Sequence, residues 1–274
     1  MIIKINNKVL NSHILQPHIQ GLGKPEIRTA SGNYSGRDGG WIASQFYKYR
    51  VITINGFLNE QTCANLEASR QELLDALPLR TALPMFITTF AGTIYYADVY
   101  VLDLKMDIVG AKFQEFQLTL MSPDPYLYAA GDGTDPDSGF ITQTIYKLVG
   151  GGYIFPYILP VIWEAGSTPT LVNNTSDILI FPIITLNDTF TNPRIQNNTT
   201  GQYIELTVTT TTGDEIIIDM KNRTVTLNGG SILPYKSGSW WGLTSGANMI
   251  ELTSDGGGDN TEGTIKYRIA YEGI

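Results

Sequence analysis

Residues 102–108 have the sequence LDLKMDI, in which apolar and charged side chains alternate strictly. Residues 116–120, FQLTL, repeat this alternation after a turn at residues 109–112. A period of two places the apolar side chains on one face of a strand and the charges on the other, so the two segments predict a long β-hairpin. Residues 47–55 and 85–90 are further strand candidates, because they are rich in aromatic and β-branched side chains.

Residues 58–77 have helical rather than strand periodicity, and Pro78 stops the pattern. We expect one amphipathic helix here, with Cys63 in its apolar stripe as a core thiol rather than a reactive one. Residues 31–40 contain several turn formers and no period, which predicts a long exposed loop. The predicted apolar stripe consists of Cys63, Leu66, Leu73 and Leu77.

A chain of 274 residues is long enough for two domains, and prolines and acidic glycine-rich sequence mark a linker near 126–140. We therefore expect one β-domain at 1–130 and a second at 131–274. Beyond the linker, short strand signals separated by turn residues such as Asn228-Gly229 predict an antiparallel β-sandwich. These strand signals lie at 140–148, 178–186, 202–209, 215–220, 224–227, 248–252 and 264–271.

The net charge of −8 is distributed unevenly along the sequence. Residues 1–130 hold eleven basic and eleven acidic side chains, whereas residues 131–274 hold seven and fifteen. Neither half has the basic stripe that binding to nucleic acid requires. The lone Cys63 excludes an internal disulfide and multi-cysteine metal sites. The longest apolar run, 153–163, is short and is broken by two prolines, so we expect no membrane insertion.

Candidate catalytic groups are few, and each has a structural explanation. The two histidines, His13 and His18, are five residues apart and have no surrounding zinc motif, so we expect surface or turn histidines. The densest acidic cluster, Asp214, Glu215 and Asp219, flanks a strand, and we expect solvated strand ends rather than paired catalytic carboxylates. The acidic glycine-rich stretches 131–139 and 255–259 do not match a calcium loop. We predict no catalytic residues, no metal site and no cofactor.

The remaining candidate is aromatic. Tyr235, Trp240 and Trp241 lie in a segment rich in glycine and serine, where exposed rings could contact a protein partner or a sugar. Consecutive strand residues point to opposite faces, so one tryptophan is expected in the core and the other at the surface. Contact with protein, contact with glycan and plain packing all remain open for these three residues.

The order of motifs along the chain resembles the distal tail proteins of long-tailed (siphovirus) bacteriophages. The resemblance covers nearly the whole chain and depends on the order of the motifs rather than on any one of them. In the first half the motifs are 36–39, 50–56, the helix at 58–77, 118–121 and 123–126, and in the second half they are 215–219, 223–229, 246–250 and 267–271.

The resemblance implies a mainly β structural protein of the virion, located at the tail tip and assembled in the host cytoplasm. Its N-terminal β-barrel or β-sandwich, with one α-helix and a long hairpin, would close with five copies into a homohexameric ring. Its C-terminal antiparallel sandwich would be galectin-like or carbohydrate-module-like. The ring would join the tail tube protein to a tail-associated hub or lysin protein, with receptor-binding proteins as further partners. The alternative is a carbohydrate-binding module that contacts glycans of the host cell wall.

Overall fold

The structure, a computed structural model, describes residues 1–10, 18–108, 110–148, 168–257 and 261–274. The chain is mainly β, as predicted, and it divides into two compact units. The first unit comprises residues 1–139 together with 270–274, and the second comprises 140–269. The predicted linker at 126–140 thus overlaps the end of the first unit, and the return of residues 270–274 to that unit has no counterpart in the sequence analysis.

The elements of the first unit are β1 (Ile2–Ile5), β2 (Lys8–Val9), β3 (His18–Gln20), β4 (Ile27–Asn33), β5 (Gly40–Tyr47), β6 (Arg50–Asn59), α1 (Cys63–Asp75), β7 (Leu83–Thr88), β8 (Ile94–Ile108), β9 (Phe113–Ser122), β10 (Leu127–Ala129) and β22 (Ala270–Tyr271). Seven of them form a sheet in the order β2-β1-β7-β8-β9-β6-β3, which β10 extends by pairing with β8 and β22 extends by pairing with β10. The strands β4 and β5 form a sheet of their own.

The predicted hairpin is the pair β8 and β9, and it is longer than the sequence pattern indicates. Leu104 lies opposite Leu118 and Met106 opposite Phe116, and all four side chains belong to or pack against the core. Leu102 was expected on the same buried face, and this is wrong: it is exposed. The ladder shifts register between residues 101 and 103, and such a shift re-aims the neighbouring side chain.

The helix α1 is shorter than predicted and begins at Cys63. The Thr62 side chain accepts a hydrogen bond from the backbone N–H of Asn65 (3.2 Å) and caps the first turn. Leu66 and Leu73 are buried, as the periodicity predicts. The expectation of a core thiol is wrong, because Cys63 is the first helical residue and is exposed.

The two halves of the sequence differ in net charge, but this difference disappears when the charges are counted within the two structural units. The first unit gains Asp132, Asp135, Asp137 and Glu272, which gives it eleven basic and fifteen acidic residues. The second unit then has seven and eleven, so each unit carries a net charge of −4. Electrostatic repulsion therefore does not distinguish the two units.

The strands of the second unit are β11 (Ile141–Tyr146), β12 (Thr170–Asn174), β13 (Ile183–Leu186), β14 (Arg194–Asn197), β15 (Gln202–Leu206), β16 (Ile216–Asp219), β17 (Thr224–Leu227), β18 (Gly230–Ser231), β19 (Lys236–Gly238), β20 (Gly246–Thr253) and β21 (Glu262–Tyr267). They form two antiparallel sheets, β11-β21-β13-β16-β17-β18 and β12-β20-β14-β15-β19. Asn228 and Gly229 both have positive φ (50° and 79°) between β17 and β18, as the predicted Asn-Gly turn requires.

Two features of the second half differ from the expected strands. The predicted strand 264–271 is two strands, β21 in the second unit and β22 in the first. The strands β12, β14, β18 and β19 were not predicted at all. The apolar run 153–163 lies outside the described residues. Among the described residues, no helix has the length and hydrophobicity needed to cross a membrane.

Candidate functional site

The arm, residues 27–47, is a β-hairpin made of β4 and β5. Its ladder runs from the pair Ile27 and Tyr47 at the base to Asn33 and Gly40 near the tip. Residues 31–40 were expected to form a loop. This expectation is wrong for residues 31–33 and 40, which belong to the strands, and only residues 34–39 form a turn. Gly32 enables the strand here, because the ring of Trp41 lies where a side chain of residue 32 would be (2.8 Å from an ideal Cβ).

Both faces of the arm expose large apolar side chains. Ile42 is 67% exposed and Phe46 is 58% exposed, and Ile27 and Trp41 are also exposed. Trp41 and Ile42 are consecutive in β5, so their side chains point to opposite faces of the hairpin, and both are exposed. A two-stranded hairpin is marginally stable in water on its own, and contiguous exposed apolar surface is typical of an interaction site. The arm is therefore the first candidate site.

The base of the arm is tied by polar and aromatic contacts. The backbone N–H of Lys48 donates to the carbonyl oxygen of Glu26 (2.7 Å), and the Lys48 ammonium pairs with the Glu26 carboxylate (2.5 Å). The ring of Tyr47 packs edge-on against Tyr126, with 6.1 Å between ring centroids. These contacts fix the base and leave the two long faces uncovered.

The predicted aromatic contact residues of the second unit do not form one exposed cluster. Tyr235 is exposed, at the end of a short 3-10 turn. Trp240 is half-buried, and the Lys236 ammonium lies 4.8 Å from the centroid of its ring. Burial lowers the pKa of Lys236. Trp241 is only 1% exposed and is a core residue, so a ligand at this surface could reach Tyr235 and Trp240 but not Trp241.

A network of buried asparagines holds the segment that contains Trp241, and sequence reasoning missed it. The Asn248 side-chain oxygen accepts from the backbone N–H of Thr244 (3.0 Å) and from the Asn197 amide (3.1 Å). The amide of Asn174 donates to the carbonyl oxygen of Leu243 (2.9 Å). All three asparagines are fully buried, and buried amides are stable only when hydrogen-bonded. This arrangement is structural, because its polar atoms bond within the protein.

The acidic cluster considered for catalysis caps turns. The Asp214 carboxylate accepts from the Thr211 backbone (2.8 Å) and from the Asn228 amide (2.7 Å). These hydrogen bonds hold the pKa of Asp214 below its ordinary value, with the Thr211 backbone as the largest cause. Asp219 accepts from the backbone of the turn that follows it, at residues 221 and 222. A general acid of a glycosidase requires a raised pKa, which is the opposite of the shift at Asp214.

In the residues that the structure describes, His18 and the acidic loops bring no metal ligands together. His13 lies outside the described residues, and His18 is exposed in β3 and contacts Gln20 (3.0 Å). His18 borders a groove of about 400 Å³, which is also lined by Lys105 and Asp107, charges of opposite sign. In the described part of the chain, no three His, Cys, Asp or Glu residues are close enough to hold a metal ion.

Known proteins similar to this chain include the phage tail proteins that the order of its motifs resembles. Residues 175–271 match the family model of the siphovirus-type tail component, C-terminal domain. Residues 175–271 are thus similar to the C-terminal domain of these tail components. The resemblance to distal tail proteins that was predicted from the sequence is confirmed. No curated protein sequence matches the chain.

Two solved structures extend the likeness to nearly the whole chain. The Dit protein of phage SPP1, described as a paradigm of the hub adsorption apparatus of phages that infect Gram-positive bacteria, has 15% identity and a TM-score of 0.71, over 98% of both chains. A chain of the phage P2 baseplate, in its activated conformation with calcium, has 12% identity and a TM-score of 0.52, over 100% of this chain and 99% of that one. At these identities the likeness shows a shared fold.

Proposed function

We propose that this chain is a phage tail component that forms a homohexameric ring at the distal end of the tail. In this proposal the ring joins the tail tube protein to the adsorption apparatus, including a tail-associated hub or lysin protein and receptor-binding proteins. It is located at the tail tip of the virion and assembles in the host cytoplasm. The fold shared with the SPP1 hub protein over nearly all of both chains supports this proposal.

The observation that carries the proposal is the arm. A hairpin that exposes apolar side chains on both faces requires a covering surface on each side. A neighbouring copy of the chain can supply such a surface, and head-to-tail contacts between identical copies close into rings when the rotation permits. The arm also presents the free outer edges of β4 and β5, to which a neighbouring strand can add.

The second unit serves as a platform for protein docking in this proposal. The alternative, a module that binds glycans of the host cell wall, needs accessible aromatic faces on which sugar rings can stack. Trp241 is buried, and one face of the Trp240 ring is occupied by Lys236. Protein docking is therefore favoured over glycan binding at this surface.

The proposed role is structural and not enzymatic. The strongest catalytic candidates, Asp214 and Asp219, use their carboxylates to cap turns. Function then depends on surfaces rather than on a reacting group.

The experiment compares ring formation by the wild-type chain and by Ile42→Asp, in purified protein and in isolated tail tips, by native mass spectrometry and electron microscopy. Ile42 is the most exposed apolar residue of the arm, so an aspartate there leaves the isolated fold intact. Its charge would be buried in the ring, which is costly. We expect the hexamer population to fall about tenfold or more, with an unchanged melting temperature.

The matched control is Leu171→Asp, which makes the same kind of change at an exposed residue (54%) of the second unit. Rings should form normally in this variant. Wild-type yields of rings from Ile42→Asp, or loss of rings in Leu171→Asp alone, would contradict a ring built by the arm.

A further inference from the structure

The return strap, residues 270–274, follows the second unit in the chain and packs on the first unit. Its Tyr271 pairs with Leu127 in β10, and its ring meets Tyr95 edge-on with 5.1 Å between centroids. The backbone N–H of Ile274 donates to the carbonyl oxygen of Leu22 (3.0 Å). The strap therefore reaches the segment that leads into the arm.

Glu272 of the strap contacts one residue that precedes the arm and the last residue of the arm. Its carboxylate pairs with the ammonium of Lys24 (2.7 Å), three residues before the arm begins. It also accepts a hydrogen bond from the hydroxyl of Tyr47, the last residue of the arm. The hydrogen bond from Lys24, followed by that from Tyr47, is the main cause of a lowered pKa of Glu272. One carboxylate thus links the entry and the exit of the hairpin.

The backbone of the strap fits closely on the same segment. Arg50 donates from one guanidinium nitrogen to the carbonyl oxygens of Gly21 (2.7 Å) and Gly23 (2.6 Å), and from another to that of Glu272 (2.5 Å). A Cβ on Gly273 would lie 2.7 Å from the carbonyl carbon of Gly23, so only glycine fits there. The strap and the residues that lead into the arm therefore form one packed layer.

The ladder of the arm does not join the large sheet of the first unit, so contacts at its base determine the direction in which it projects. We propose that the return strap is a clamp that sets this direction, with Glu272 as the residue that positions the arm for ring assembly. The link to assembly rests on the proposed function above, whereas the clamp itself concerns the single chain.

The strap lies after the second unit in the chain, so the clamp can form only once the second unit has been made. Residues 270–274 become available only after the second unit has been synthesised, so the arm is held in position only in chains that contain both units. Chains that lack the second unit would present an unclamped arm and would join rings poorly, which protects the ring from defective subunits.

The test reverses charges in the full chain. Glu272→Lys places a cation beside Lys24 and should loosen the base of the arm, whereas Lys24→Glu combined with Glu272→Lys restores an ion pair of opposite polarity. Hydrogen exchange at the amide of Lys48, which closes the base on Glu26, reports the clamp. We expect exchange there to rise about tenfold in the single variant and to return towards the wild-type rate in the double variant. The fraction of rings should follow the same order.

The control is Glu262→Lys, the same charge reversal at an exposed strand end of the second unit. It should change neither the exchange rate of the Lys48 amide nor the fraction of rings. Recovery in the double variant excludes misfolding as the cause. Exchange unchanged by Glu272→Lys, or not restored by the double variant, overturns the clamp. If Glu272→Lys speeds exchange but rings form normally, the role of the clamp in assembly is overturned, while the proposed ring is unaffected. Absence of rings from wild-type tail tips overturns the proposed function, and the exchange data still decide the clamp.

Discussion

The two units differ in where they place polar groups in the core and apolar groups at the surface. The core of the first unit is almost entirely aliphatic, and its largest buried polar side chain is Arg50. The core of the second unit contains three buried asparagines that are hydrogen-bonded to one another or to nearby backbone. The two units also differ in where they place large apolar side chains. The first unit exposes several of them on the arm, whereas the second unit buries Trp241.

This difference shows how one class of β-structure can serve two purposes. Contacts around Arg50 and the return strap fix the base of an arm that needs partners to cover it. The asparagine network instead holds a loop over the core of the second unit through hydrogen bonds made within that unit. The distinction can be tested by disrupting each polar centre and measuring the stability of each unit by hydrogen exchange.

The largest effect is expected for Arg50→Met, which has an apolar side chain of similar length. The carbonyl oxygens of Gly21, Gly23, Pro125 and Glu272 would lose their donor in a buried site. Each unsatisfied buried group is costly, so we expect the free energy of unfolding of the first unit to fall by about 4 kcal/mol. The second unit should change little, as measured by urea denaturation followed through exchange of each unit.

The control for this variant is Arg28→Met on the exposed surface of the arm, where a loss of no more than about 0.5 kcal/mol is expected. Equal losses for the two arginine variants would show that the four carbonyl contacts do not stabilise the first unit, and would remove the contrast between the two cores.

The sequence predicts those parts of the fold that depend on local periodicity. The alternation in residues 102–108 and 116–120 indicates the hairpin, and the spacing of Leu66 and Leu73 indicates the helix. Cys63 was misplaced because helical spacing alone does not show that the residue directly after the Thr62 cap lies at the exposed end of the helix. Leu102 was misplaced because a register shift has no local signal.

The parts of the site that were not predicted depend on contacts between distant residues. Residues 31–40 of the arm were taken for a loop because they are rich in glycine, serine and other turn formers, and the pairing of β4 with β5 has no local signal. Arg50 and Glu272 are separated by 222 positions, and no local pattern reports such a pair. The asparagines 174, 197 and 248 look like turn residues in the sequence, and only the fold brings them together.

A smaller effect is expected for Asn248→Ala in the second unit. The substitution removes the acceptor for the Thr244 backbone and the Asn197 amide, and the donor to the carbonyl oxygens of Thr244 and Gly246. We expect a loss of about 2 to 3 kcal/mol in the second unit, because some of these groups can regain partners after relaxation. Asn198→Ala is the matched control, since the Asn198 amide donates to the Glu251 carboxylate at the exposed surface, and the loss from this variant should be close to zero. A similar loss in both variants would mean that the second unit is not held by its buried network.

The smallest effect concerns Asp214, and it tests whether the second unit has a catalytic acid. Because the folded state lowers its pKa, Asp214 contributes stability above the ordinary aspartate pKa of about 4, and this contribution is lost as the pH falls through the lowered value. Asn228→Ala removes one of the donors to Asp214, so its pKa should move back up towards the ordinary value, as measured by NMR titration of the carboxyl carbon. Asn222→Ala, which removes a donor to Asp219 instead, should leave the Asp214 titration unchanged. A measured pKa of Asp214 above the ordinary value in the wild-type chain would contradict the turn-capping role and would restore this carboxyl as a candidate proton donor.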